Sequence, residues 1–155
     1  MSENITNLLY LLEDSALGNW VATSLWGYPI FLTLHTIGMA TLVGLSLMYA
    51  ANVLLTSKND ALVNLAVYWK LALFGLILNL VSGSALFISS ASSMWLSWPF
   101  RIKLILIALG LLLSISLVKS CVSSSAHYRQ RLKALAVIVI WLLALVAGRL
   151  IAYIE

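Results

Sequence analysis

Charged side chains are scarce in this sequence. Of its 155 residues, 9% are charged and 63% are hydrophobic, whereas soluble domains carry about 25% charged and about 45–50% apolar residues. A soluble domain of this length has too small an interior to hide so much apolar surface. Every hydrophilic stretch is short, which leaves no room for a separate soluble domain. The composition therefore predicts a protein that lies almost wholly in or on a lipid bilayer.

Cysteine is nearly absent. The single residue, Cys121, excludes a disulfide framework within the chain. Because no Cys/His cluster surrounds it, it is poor evidence for a metal site, and we interpret it as a small residue near a helix end. The sequence also lacks a nucleotide-binding motif, a pair of carboxylates and a nucleophile–base arrangement, so it names no reaction and no enzyme class.

Acidic residues are missing from the long apolar runs. A proton pump or a cation transporter normally needs a carboxylate inside the membrane, so this absence weakens both interpretations. The N-terminus lacks the basic start of a cleaved signal peptide, because Glu3, Glu13 and Asp14 precede the first long run. We therefore expect the chain to insert through its own helices.

Four apolar runs are long enough to span a bilayer, which takes about 20 residues. We predict spans at residues 28–54, 64–89, 100–122 and 133–153. The links between them are short, so neighbouring helices should run antiparallel, as in an up-down bundle. The predicted fold class is all-α, an integral membrane four-helix bundle with its transmembrane domain at residues 28–155.

Residues 1–27 form a separate N-terminal segment in this prediction. Residues 4–13 combine leucines with acidic and amide residues, which is typical of a short interfacial helix. Ser15 is expected to cap a second short helix that carries Trp20 and Trp26 toward the membrane surface.

The distribution of Lys and Arg predicts the orientation of the chain. One side holds three basic residues, the acidic N-terminus and Glu155, and the other side holds six: Lys58, Lys70, Lys119, Arg129, Arg131 and Lys133. This bias places both termini outside, which is the periplasm for the bacterial inner membrane that we predict. Residues 127–131 are expected to contact anionic lipid headgroups, and so short a stretch does not support nucleic-acid binding.

Three ionisable side chains inside the spans are candidates for function, because such groups are costly in lipid. We expect His35, Lys103 and Arg149 at similar depths in the outer half of the bilayer, with His35 about 10 Å along its helix. Taken singly, each is more simply a packing or snorkelling residue, but the matched depth favours a shared site. Its counter-charge would come from a ligand, a lipid phosphate, Glu13, Asp14, the C-terminus or a partner.

Small and polar residues recur at helical spacing on three of the spans, and such stripes should face other helices rather than lipid. The three stripes are His35, Gly38, Leu42, Leu45 and Tyr49; Gly75, Asn79, Ser82, Leu86 and Ser89; and Lys103, Ile107, Gly110, Ser114 and Cys121.

Three segments resemble a family of small bacterial inner-membrane proteins of unknown function. Residues 34–44 (LHTIGMATLVG) are similar to the His-bearing first helix of that family, residues 100–104 (FRIKL) to its third-helix start, and residues 147–153 (AGRLIAY) to its C-terminal signature. The resemblance covers residues 26–153. A looser similarity extends to HemJ-type protoporphyrinogen oxidases and CopD-type membrane domains, whose early-helix His and later-helix Lys correspond to His35 and Lys103.

The resemblance to the HemJ type implies haem b. His35 would then be an axial ligand of the iron through its neutral imidazole, and Arg101, Lys103 and Arg149 would meet the propionates. His127 is expected on the opposite side of the membrane, about 30 Å away, so a second axial ligand would come from elsewhere. The predicted function is a membrane-embedded haem b-binding protein with a redox or haem-handling role.

Two other functions stay open at this stage. In the first, the chain is a non-catalytic accessory or scaffold subunit of a larger membrane complex, or it forms a small homo-oligomer. Its helix faces with serine and glycine would then bind other helices. The cationic cluster would hold a quinone or a lipid if it is framed by Trp95 and Trp98. A copper site is less well supported, because Met39 and Met48 have no Met/His cluster around them.

Overall fold

The computed structural model describes residues 3–55, 65–123 and 127–154. Within these ranges the chain forms helices and no strand. The helices are α1 (Glu3–Glu13), α2 (Ala16–Thr23), α3 (Gly27–Leu55), α4 (Leu65–Ile88), α5 (Ala91–Leu96), α6 (Trp98–Val122) and α7 (His127–Ile154). The predicted all-α class is confirmed.

Four of these helices are long and apolar enough to cross a membrane. The qualifying stretches are Gly27–Leu55, Val67–Ile88, Trp98–Val122 and His127–Leu150. The four predicted spans are therefore confirmed, and the chain is a multi-pass membrane protein. The predicted division of the chain at residue 27 stays a prediction.

The predicted ends of the first three spans lie within two residues of the observed ones, but the fourth prediction was wrong at its start. The apolar run begins near Lys133, whereas α7 begins six residues earlier at His127. Among the intervening residues, Arg129, Gln130 and Arg131 are good helix formers. One of them also bonds to the preceding helix, since Gln130 Nε2 donates to the Ser120 carbonyl oxygen at 3.2 Å.

The predicted cap of the second helix is confirmed. Ser15 Oγ accepts a hydrogen bond from the backbone N–H of Gly18 at 3.2 Å and donates to the Leu12 carbonyl at 2.6 Å. The first contact satisfies an amide that has no partner inside α2, and the second satisfies a carbonyl near the end of α1. The Ser15 hydroxyl thus stabilises both the last turn of α1 and the first turn of α2.

The prediction that the second helix also carries Trp26 was wrong. Helix α2 ends at Thr23, and Trp26 lies in the turn before α3. The cause is Ser24, whose Oγ accepts hydrogen bonds from the backbone N–H groups of Trp26 and Gly27 at 3.3 and 3.2 Å. These are the amides at the start of α3, so the hydroxyl stabilises a new helix rather than a continuation of α2.

Residues 90–99, which lie between the second and third predicted spans, contain the short helix α5. Glu13 at the end of α1 reaches this helix, and its Oε1 accepts hydrogen bonds from both the backbone N–H and the hydroxyl of Ser92, each at 2.8 Å. A carboxylate at a helix N-terminus is favourable because the amides there have no partner within the helix. This contact joins residues 79 positions apart, which local sequence patterns do not reveal.

The chain divides into two compact units. The first comprises Met1–Leu42 and Leu73–Ser97, and the second comprises Val43–Ala72 and Trp98–Glu155.

In the first unit, α3 and α4 run antiparallel and their backbones meet at two glycines. A Cβ on Gly38 would lie 2.8 Å from the backbone nitrogen of Asn79, and a Cβ on Gly75 would lie 2.9 Å from that of Leu42. Both distances are shorter than van der Waals contact, so glycine is required at both positions. Lipid supplies no hydrophobic force between helices, and close packing of this kind stabilises their association.

In the second unit, α6 and α7 form an antiparallel hairpin around Trp141. The indole is 1% exposed, and a Cβ on Gly110 would lie 3.0 Å from its ring. Trp141 Nε1 donates to Ser114 Oγ at 3.1 Å. The small residues of the predicted α6 stripe therefore make room for, and bond to, the largest buried side chain of α7.

We expect Gly38→Ala to destabilise the protein by about 1–3 kcal/mol, because the new methyl group meets the α4 backbone and forces the helices apart. Gly44→Ala on the same helix is the matched control, since no described atom outside its own helix lies within 4 Å of the added Cβ. The measurement is the free energy of unfolding in mixed micelles during titration with a denaturing detergent. Equal stability of the two variants would contradict the close contact.

Candidate functional site

His35 packs against α4 in the first unit. Its Nδ1 lies 3.3 Å from Ser82 Oγ, and Ser82 is 1% exposed. A Cβ on Gly83 would lie 3.1 Å from His35 Cε1, so the glycine leaves the space that the imidazole fills. A hydrogen bond to Ser82 and a close contact with Gly83 therefore hold the ring of this half-buried histidine against α4.

The hydrogen bonds of Ser82 determine which nitrogen of His35 carries the proton. The hydroxyl has one proton, and its Oγ lies 2.6 Å from the Leu78 carbonyl oxygen but 3.4 Å from that of Asn79. The proton therefore goes to Leu78, and the hydroxyl meets His35 as an acceptor. His35 Nδ1 is then the donor, and in the neutral imidazole the lone pair is on Nε2.

This tautomer is the one that a metal-binding imidazole adopts when Nε2 is the ligand. A hydrogen bond from the other ring nitrogen fixes the ring orientation and raises the basicity of the ligating nitrogen. In His35 that bond goes to a buried hydroxyl whose own proton is committed elsewhere. The arrangement can therefore present an oriented nitrogen lone pair to a metal or to a hydrogen-bond donor.

Asn79 contributes a second polar group to the same face of α4. The residue is 8% exposed, and its Oδ1 is buried with no hydrogen-bond partner among the described residues. It lies one turn from Ser82 and contacts α3 at Gly38. A buried acceptor without a donor costs about 1–3 kcal/mol, so a donor from water or from a bound molecule would be stabilising here.

The predicted cations lie in the second unit, near the start of α6 and the end of α7. The stem of half-buried Lys103 crosses to α7, where a Cβ on Gly148 would lie 3.3 Å from its Cε and 3.4 Å from its Nζ. The ammonium thus lies next to Gly148, the residue before Arg149. The Arg149 side chain is exposed. Arg101 is also exposed, and its guanidinium carbon lies 5.7 Å from the centroid of the Trp98 ring.

The structure therefore brings two of the four predicted site residues into the same neighbourhood, Lys103 and Arg149. His35 belongs to the other unit, and its matched depth with these cations stays a prediction. Glu13, one of the expected sources of counter-charge, bonds to Ser92 through Oε1 instead.

A metal held by side chains alone is not supported in the part of the chain that the structure describes. It contains no group of three or more His, Cys, Asp or Glu residues with metal-binding geometry. His127, at the first position of α7, is exposed. A histidine-bound metal would thus need further ligands from outside these residues.

A buried aromatic cluster in the second unit was missed by sequence reasoning. The rings of Tyr49 and Tyr68 lie 5.2 Å apart between centroids, at an interplanar angle of 38°. The Tyr49 side chain lies beside Cys121, and that of Tyr68 lies beside Ser46. Tyr49 and Cys121 were predicted on inward stripes, but their pairing joins distant parts of the chain and leaves no local signal.

No protein-family model, no curated protein and no solved structure matches this chain. The resemblance of three segments to a family of small inner-membrane proteins therefore stays a prediction. The functional proposal below depends on the contacts of His35.

We expect the apoprotein to hold His35 in the Nδ1–H tautomer, because Ser82 offers only a lone pair to that nitrogen. Long-range ¹H–¹⁵N spectra of histidine-labelled protein, recorded at a pH where the ring is neutral, distinguish the two nitrogens. Ser82→Ala should remove the preference, and the exposed His127 provides an internal reference. A protonated Nε2 in the neutral ring of the wild type would contradict the assignment.

Proposed function

We propose that this chain binds haem b within the membrane through His35 and has a redox or haem-handling role. The observation that supports the proposal is the 3.3 Å contact between His35 Nδ1 and Ser82 Oγ, from which we infer that the lone pair of the neutral imidazole is on Nε2. Haem iron takes such a nitrogen as an axial ligand. When bound, haem supplies one-electron redox chemistry, and the protein supplies binding, orientation and the electrostatic environment.

The composition of the site favours haem over a metal ion bound by side chains. A porphyrin brings four nitrogen ligands of its own, so one histidine is sufficient to attach it, whereas the described residues offer no cluster of three metal-binding side chains. Gly83 leaves room for the imidazole, and the contact of His35 Nδ1 with Ser82 orients the ring. The donor set at His35 is therefore compatible with a single axial bond to haem iron.

The remaining parts of the proposal rest on the sequence. Arg101, Lys103 and Arg149 would neutralise the propionates, and a second axial ligand would come from a side chain other than histidine or from a histidine of another subunit. We place the chain in a bacterial inner membrane with both termini in the periplasm, because the Lys/Arg bias of the links favours that orientation.

Purified protein should show a Soret band and an α-band in reduced-minus-oxidised spectra. His35→Ala should abolish the bands, and Ser82→Ala should weaken haem affinity about 10- to 100-fold, because the partner of a ligating histidine has effects of that size. His127→Ala is the matched control and should bind haem as the wild type does.

Two outcomes would sink the haem assignment. One is a colourless wild-type protein that also fails to take up added haem, and the other is a His35→Ala variant whose spectrum equals that of the wild type. Extraction and mass analysis of any copurified small molecule separate haem from a quinone or a lipid at the same site.

A second candidate function is that of an accessory or scaffold subunit, or of a small homo-oligomer. The observation that favours it is the low burial of the spans, since between 22% and 33% of the residues in the most apolar stretch of each are buried. Lipid or neighbouring helices cover the rest. Extraction in mild detergent, followed by size analysis and mass spectrometry, should then yield a defined complex, and a clean monomer without a partner argues against it.

A further inference from the structure

An open groove of about 450 Å³ lies on the α6–α7 hairpin, at the end where α6 stops and α7 starts. Its lining changes in character along α6. Leu112 and Ile115 form one end, and Lys119 and Ser123 form the other. These positions extend over about 16 Å of helix axis at 1.5 Å per residue. Lys133 of α7 also lines the groove, which we call the Lys119–Lys133 groove.

Lys133 is held in place by α6. Its ammonium donates to Ser120 Oγ and, at 3.4 Å, to the Ser116 carbonyl oxygen. The side chain is half-buried, so its charge is fixed in the wall of the groove rather than extended into solvent. An ammonium has three protons, and these two contacts use two of them.

The groove contains no acidic residue to neutralise its lysines. Between Asp60 and Glu155 the sequence has no Asp or Glu, so α6 and the described part of α7 carry no side-chain carboxylate. Lys119 and Lys133 both line the groove, together with serines and apolar side chains. Within α6 and the described part of α7, no side chain supplies a compensating negative charge.

We propose that the Lys119–Lys133 groove binds the phosphate of an anionic phospholipid. The phosphate oxygens lie between Lys119 and Lys133, where charge-assisted hydrogen bonds are strongest, and Ser123 offers a further hydroxyl. An acyl chain follows the apolar end past Leu112 and Ile115. A free phosphate ion would use the charged end alone, and the apolar continuation of the groove into a membrane-spanning hairpin favours the lipid.

Native mass spectrometry of the full chain with phosphatidylglycerol, and with phosphatidylcholine as the neutral lipid, tests this site. Lys119→Gln and Lys133→Gln should each weaken phosphatidylglycerol binding about five-fold, the size expected for one basic residue at an anionic lipid surface. Glutamine keeps hydrogen-bonding capacity toward Ser120. Lys70→Gln is the control of equal charge change, because Lys70 is exposed and does not line the groove.

A second variant keeps the test independent of the lysines. Leu112→Trp fills the apolar end at a position that is 65% exposed, and it should weaken phosphatidylglycerol binding without altering charge or fold. Inorganic phosphate at matched concentration should displace little lipid. Far-UV circular dichroism and unchanged phosphatidylcholine adducts verify that each variant is folded.

Each remaining outcome overturns the proposal in a distinguishable way. Equal losses in Lys70→Gln and in the two groove-lysine variants would indicate general attraction to a charged surface. Full displacement by inorganic phosphate, with Leu112→Trp behaving as wild type, would indicate a free-phosphate site. Unchanged phosphatidylglycerol binding in both lysine variants would show that the groove holds no anion.

Discussion

The contact of α3 with α4 at Gly38 and Gly75 is the constraint on which the candidate site depends. Lipid tails are as apolar as the side chains of the helices, so the hydrophobic effect does not drive one helix against another. Helices in lipid associate where their backbones can approach closely. Two glycines whose missing Cβ atoms would lie within 3 Å of the opposite backbone fix the register of the pair. That register places His35 opposite Ser82, one turn further along the same interface.

Serines at the helix interfaces connect the helices in a repeated way. Each donates its one proton to the carbonyl four residues earlier and presents a lone pair to a donor on the facing helix. The three pairs are Ser82 with His35, Ser114 with Trp141, and Ser120 with Lys133. Each hydroxyl therefore accepts its partner's proton while its own proton stays bonded within its own helix.

The sequence was sufficient for the features that arise from composition and periodicity. The spans follow from apolar runs, and the faces carrying Gly38 and Gly110 follow from helical spacing of small residues. The sequence did not predict the structure of polar segments that depend on contacts with residues far away in the chain. Helix α5 depends on Glu13, and the early start of α7 is supported by contacts with α6, so neither has a local apolar signature. The Tyr49–Cys121 contact likewise requires the tertiary structure.

The serine pairs give each helix interface a direction. On α4 and α6 the serine hydroxyls act as acceptors, and the side chains that face them from α3 and α7 act as donors: an imidazole N–H, an indole N–H and an ammonium. A side chain that can only donate, placed at one of these serine positions, would set donor against donor. Helix partners in this chain are therefore distinguished by hydrogen-bond polarity, a form of selectivity that shape and apolar surface do not provide.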